Sequence, residues 1–141
     1  MTLRERIHTP EMLLYLMAAA VPLSFSTWRA LLNNFAIEQA SFTGVEMGTL
    51  QSLREVPGFM AFAAVFLLLL MREKTLATLS LILLGIGTAL TGFIPSVMGL
   101  YFTTVLMSIG FHYAETMQQS LSMQLIHRDR MPIIMGRQIA V

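Results

Sequence analysis

The chain reads as an all-helical membrane protein, a single domain over residues 1–141 with four antiparallel transmembrane helices, and three observations lead there. Its 141 residues are 55% hydrophobic and only 12% charged, with a mean hydropathy of +0.68. Soluble domains carry about 25% charged residues, so the apolar excess here must face something other than water, and lipid is the obvious candidate. Apolar runs of near membrane-spanning length fill almost the whole sequence, joined by turns too short to do anything but reverse direction.

The first helix is expected over about 10–33. Thr9 suits the N-cap, Pro10 the first helical position, and Glu11 the positive end of the helix dipole. A cleaved signal peptide is the competing reading, with Arg4 and Arg6 as the basic head and Ala18 to Ala20 as small residues for cleavage. Three further spans follow, and the apolar run continues past Pro22, which favours a retained helix. The second span is expected over 44–71, opened by a Thr43/Glu46 capping box. At 1.5 Å per residue it would be about 42 Å long and would have to tilt or protrude. Pro57 should kink it and free the carbonyl of Leu53. The third span, 75–94, has no charge and stops before Pro95; the fourth, 97–126, follows Ser96 as cap. Residues 136–141 turn apolar again and read as the first turn of a fifth helix.

Arg72 and Lys74 follow the second span and Arg128, Arg130 and Arg137 the fourth, whereas the turn between the third and fourth has no basic residue. With Arg4 and Arg6, these place both ends of the chain on the cytoplasmic side, as expected for a bacterial inner (plasma) membrane protein.

Several classes are excluded or unsupported. A net charge of +1 gives no footprint for nucleic acid. Without cysteine there is no disulfide framework and no thiolate metal site. The sequence has no GxSxG, P-loop, HExxH or GxGxxG pattern, so no enzyme activity is expected. The twelve methionines read as adaptable packing rather than copper ligands. His112 as a haem ligand has only a lone histidine behind it. No metal or cofactor is expected.

Intramembrane polar and ionisable residues are costly and mark function by default. The fourth span holds Thr104, Ser108, His112, Glu115, Gln119 and Ser122 at steps of three and four, one continuous stripe that reads either as a cavity or relay lining or as glue between helices. His112 and Glu115, one turn apart, suit proton uptake and release. The second span carries Gln51, Arg54 and Glu55 beside the Pro57 kink, which suits either a moving element or charges at the outer headgroups. Arg29, with Glu38, Glu46 and Glu55 as candidate partners, is placed at those headgroups. The third span has small residues at four-residue steps, Gly85 with Ala89 and Thr88 with Gly92, together with Gly87, for tight packing.

The layout resembles the first four helices of the major facilitator superfamily of secondary transporters. The resemblance rests on the cytoplasmic N-terminus, the basic turn Met71 to Lys74, the Pro95 turn, and the passage from His127–Arg130 into Gly136, Arg137 and Gln138. It implies a solute moved by alternating access, with or without proton coupling, helices one, two and four lining the path and helix three facing lipid. His112, Glu115 and Gln119 would line it and Gln51, Arg54 and Glu55 would guard its outer mouth. Of that family's basic loop signature after helix two, only Arg72 and Lys74 remain, and Thr103 to Leu106 holds no arginine. Four helices are a third of such a transporter, so the partners implied are the lipid bilayer and further helices. The alternative is a non-transporting structural or assembly subunit of a larger membrane complex.

Overall fold

The other helices pack mainly on the helix Val97–Leu125, and a few small or polar residues set those contacts. The computed structural model describes residues 10–140, with side chains from Met12 onward. The helices are α1 (Pro10–Ala40), α2 (Gly44–Phe59), a 3-10 turn (Met60–Ala63) running into the short α3 (Ala64–Leu68), α4 (Glu73–Thr91), α5 (Val97–Leu125) and α6 (Met131–Ala140). Arg4, Arg6 and the Thr9 cap lie outside the described residues, as does Val141.

α1 continues well past the expected end near residue 33. Its last two turns carry Asn33, Asn34, Glu38 and Gln39, all exposed, so the helix outlasts its apolar pattern rather than stopping with it. It ends at Ser41, whose φ of 54° turns the chain into the left-handed region. The turn lets the Phe42 N–H reach the Ala36 carbonyl at 3.1 Å and buries the Phe42 ring. The capping box then starts α2 as expected, with the Thr43 N–H donating to Glu46 Oε2 at 2.9 Å.

The expected single span over 44–71 is not one helix. Pro57 offers no N–H, and the N–H of Met60 turns back to the Pro57 and Gly58 carbonyls, tightening the helix into the 3-10 turn. α2 and α3 are 16 and 5 residues long. Neither reaches membrane length by itself. α1 is long but diluted by Ser24, Ser26, Thr27 and Arg29. Among the described residues, α4 and α5 are therefore the two helices long and apolar enough to cross a membrane, where four such spans were expected. Only 33% of the most apolar window of α4, and 44% of that of α5, is buried, so neither is a core helix sheathed by the others.

α4 and α5 make the broadest contact and run antiparallel. Gly87 faces Met107, and a Cβ there would fall 2.5 Å from the Met107 backbone nitrogen; a Cβ at Gly110 would fall 2.7 Å from the Ser80 carbonyl oxygen. Two glycines, one on each helix, thus permit the close approach, whereas Gly85 faces open space. α1 docks on α4 through Trp28 Nε1, which donates to Thr91 Oγ1 at 3.3 Å, and through the Ser24 and Thr88 hydroxyls, also at 3.3 Å. α2 runs beside α5 in parallel: Tyr101 donates to the Glu46 carbonyl and Tyr113 to the Met60 carbonyl, each at 3.3 Å.

The buried side chains form two clusters along the bundle. One holds Trp28, Leu32, Leu50, Leu84, Leu100 and Met107. The other holds Leu14, Met17, Leu76, Met117, Leu121 and Ile134. Ile134 belongs to α6, which starts at Met131 rather than at residue 136 and fits Pro132 into its first turn, where a missing N–H costs nothing. α4 likewise starts two residues early: Glu73 Oε1 accepts from Ser120 at 2.9 Å and from Gln124 at 2.7 Å, tying its first turn to the end of α5.

Candidate functional site

The polar stripe of α5 does not face one compartment. Ser108 and His112, with Phe111, line a cavity of about 260 Å³ that α1 and α2 complete with Phe25, Arg29, Arg54 and Glu55. Glu115 and Gln119 line a larger groove of about 560 Å³, closed by Ala18, Val21 and Pro22 of α1 and by Gln138 of α6. The two spaces share two residues, Phe25 and Phe111, whose rings stack with centroids 4.5 Å apart.

In the smaller cavity Arg54 Nε donates to Glu55 Oε1 at 3.0 Å and Nη2 to the same oxygen. The Arg54 guanidinium also lies over the Phe25 ring, 5.6 Å from its centroid, a geometry worth about 0.5–2 kcal/mol depending on hydration. The Ser108 hydroxyl donates to the Arg54 carbonyl, one residue beyond the Leu53 carbonyl that Pro57 was expected to free. That bond and the proline break fix the Arg54–Glu55 stretch against α5. His112 sits half-buried, its ring against the backbone at Gly58, where a Cβ would be 3.0 Å from Cε1 and Nε2. Only a glycine lets the imidazole approach α2 this closely.

Arg29 lines this cavity beside Arg54 and Glu55. It pairs with none of Glu38, Glu46 and Glu55.

In the groove, Gln138 ties α6 to α5. Its side-chain Nε2 donates to Ser122 Oγ at 3.2 Å, and Gln118 Nε2 approaches Gln138 Oε1 at 3.5 Å. Thr104, at the other end of the stripe, is fully buried, and its Oγ1 has no hydrogen-bond partner among the described residues.

The structure therefore brings Arg54, Glu55 and His112 together and sets Glu115 and Gln119 apart from them, beyond Phe111. Gln51, half-buried on α2, is not among the residues lining either space. His112 and Glu115, although one turn apart, open into different compartments. Sequence reasoning missed Phe25, Phe111, Gly58 and Gln138. Gly58 carried a signal, since a glycine directly after a helix-breaking proline marks close backbone approach; the two phenylalanines, in apolar helices, carried none. Among the described residues no three His, Asp or Glu side chains gather as a metal ion would require. No protein family, curated protein or solved structure matches the chain, so its function is read from this arrangement of side chains.

Proposed function

We propose that this chain is an integral membrane protein forming part of a secondary transporter of the major facilitator type, moving a small solute by alternating access. The observation that carries the reading is the pair of spaces on either side of one aromatic contact, one between α1, α2 and α5 and the other between α1, α5 and α6, each carrying polar side chains. Further support comes from where the apolar surface lies. Large side chains such as Leu23, Phe59, Leu69, Leu70 and Phe93 are between 69% and 82% exposed. Water-soluble monomers rarely show apolar surface on that scale, and a bilayer removes the cost. α4 lines neither space, and its side-chain bonds to other helices, through Glu73, Thr88 and Thr91, hold the bundle together, in keeping with a helix turned to lipid.

All four long segments cross the bilayer in this reading, α1 because Ser26 and Arg29 line the two spaces and Ser24 bonds to α4, and α2–α3 because the broken stretch lines a cavity rather than lipid. Rocking requires a second body, so further helices face α1, α2 and α5, either in a longer chain or in partner subunits.

The test uses the absence of native cysteine. A single His112→Cys in the protein in its own membrane is treated with a membrane-impermeant thiol reagent from each side in turn. Alternating access predicts reaction from both sides. Reaction from one side only, or from neither, rejects transport and leaves a packed structural or assembly subunit.

A further inference from the structure

The smaller cavity has a surplus of positive charge and of hydrogen-bond donors. Three charged groups line it, Arg29, Arg54 and Glu55, and the only pairing is between Arg54 and Glu55. The Arg29 guanidinium has neither an ion-pair nor a hydrogen-bond partner among the described residues. It has five N–H donors and no acceptor, and, being exposed, is open to water or to a bound anion. The His112 ring makes no hydrogen bond among the described residues, although a neutral imidazole always keeps one N–H to give. The Ser108 hydroxyl is already committed to the Arg54 carbonyl.

Apolar surface adjoins this donor set. The Phe25 and Phe111 rings line both this cavity and the groove, and the Arg54 guanidinium lies over the Phe25 ring. At about 260 Å³ the space equals roughly eight or nine waters of liquid volume, which is small beside the pockets that take drug-sized ligands.

We infer that this cavity binds a small organic carboxylate with a compact apolar or aromatic body, its carboxylate on Arg29 and His112 and its body against Phe25 and Phe111. The inference rests on the transport reading, naming the class of solute at its site. A guanidinium is the natural partner for a carboxylate because its donors form a planar fork. An anionic lipid headgroup offers the same chemistry, and the titration below separates the two sources.

The full protein in zwitterionic phosphatidylcholine nanodiscs is titrated with benzoate, benzamide and benzylamine, following heat release or thermal stabilisation. Benzoate is expected to bind, with benzamide and benzylamine at least tenfold weaker. Arg29→Gln is expected to weaken benzoate at least tenfold, and Arg29→Lys less. Because Arg29 is exposed, neither variant should impair folding, which unaltered thermal unfolding without ligand would verify. Equal binding of benzylamine, or benzoate binding that Arg29→Gln leaves within twofold, overturns the proposal. So does stabilisation by added phosphatidylglycerol, dependent on Arg29, with no response to benzoate. The transport reading fails separately: one-sided reactivity at His112→Cys, with benzoate binding to the unsubstituted protein as expected, leaves an anion site on a protein that does not alternate.

Discussion

The rings of Phe25 on α1 and Phe111 on α5 stack with centroids 4.5 Å apart, and that stack is the wall between the cavity holding Arg54, Glu55 and His112 and the groove holding Glu115, Gln119 and Gln138. No other residue lines both spaces. Communication between them depends on this contact, and separating α1 from α5 would open it.

Removing one ring should therefore join the compartments. With a single cysteine at Ser108, Phe111→Ala is expected to raise the rate of modification by a reagent entering from the groove side about tenfold or more. Phe111→Leu, which keeps most of the volume, should raise it little. Both rings are half-buried, so the stability cost of the alanine variant should fall below the ~3–5 kcal/mol of a fully buried phenylalanine. An unchanged modification rate in the alanine variant would mean that the ring does not separate the spaces.

The α4–α5 contact makes a sharper stability prediction. Gly87→Ala and Gly110→Ala each push a methyl into backbone of the opposing helix, and should destabilise by about 1–3 kcal/mol or more. Gly85→Ala meets nothing within 4 Å and should be neutral or stabilise by up to about 1 kcal/mol through helix propensity. Thermal unfolding in one detergent compares the three; equal effects at positions 85 and 87 would contradict the packing.

Trp28 is the only tryptophan, and its indole N–H is held by Thr91 in a buried contact. Thr91→Val keeps the shape but strands that donor, at a cost of about 1–3 kcal/mol. Intrinsic fluorescence reads the result directly. A lower unfolding midpoint with an altered emission maximum is expected, and no change in either would remove this bond from the α1–α4 interface.

Ser41 holds a left-handed conformation that glycine adopts freely, so Ser41→Gly should raise stability by roughly 0.5–1 kcal/mol if the turn that buries Phe42 is kept. The same unfolding assay checks it, and a fall in midpoint would show that the turn is held some other way.

How much of this was legible in the sequence depended on range. The Thr43/Glu46 box, the Ser96 start of α5 and the helix break at Pro57 are local, written within four residues, and all are found. The end of α1 was misplaced because Asn33 to Gln39 lose the apolar pattern yet remain helical, and lipid-span reasoning tracks only the pattern. The polar stripe on α5 was visible as a period, but the period cannot tell that Phe111 divides it. Sequence spacing put His112 with Glu115; across helices, Gly58 and Arg54 claim His112 instead. Such a choice is made by which helix packs against which, and α5 touches α1, α2, α4 and α6 along its length.

The central claim is that the exposed apolar faces meet lipid while the polar residues lining the two spaces meet water. Single cysteines at Leu79, Ile82 and Ile86 on the outer face of α4, each about half exposed, are compared with cysteines at His112, Glu115 and Gln119. In intact membranes, a charged impermeant thiol reagent applied to both sides should modify the three α5 positions and leave the three α4 positions unmodified. Rapid modification of Leu79, Ile82 and Ile86 variants, with His112 protected, would contradict the membrane placement and the polar path together.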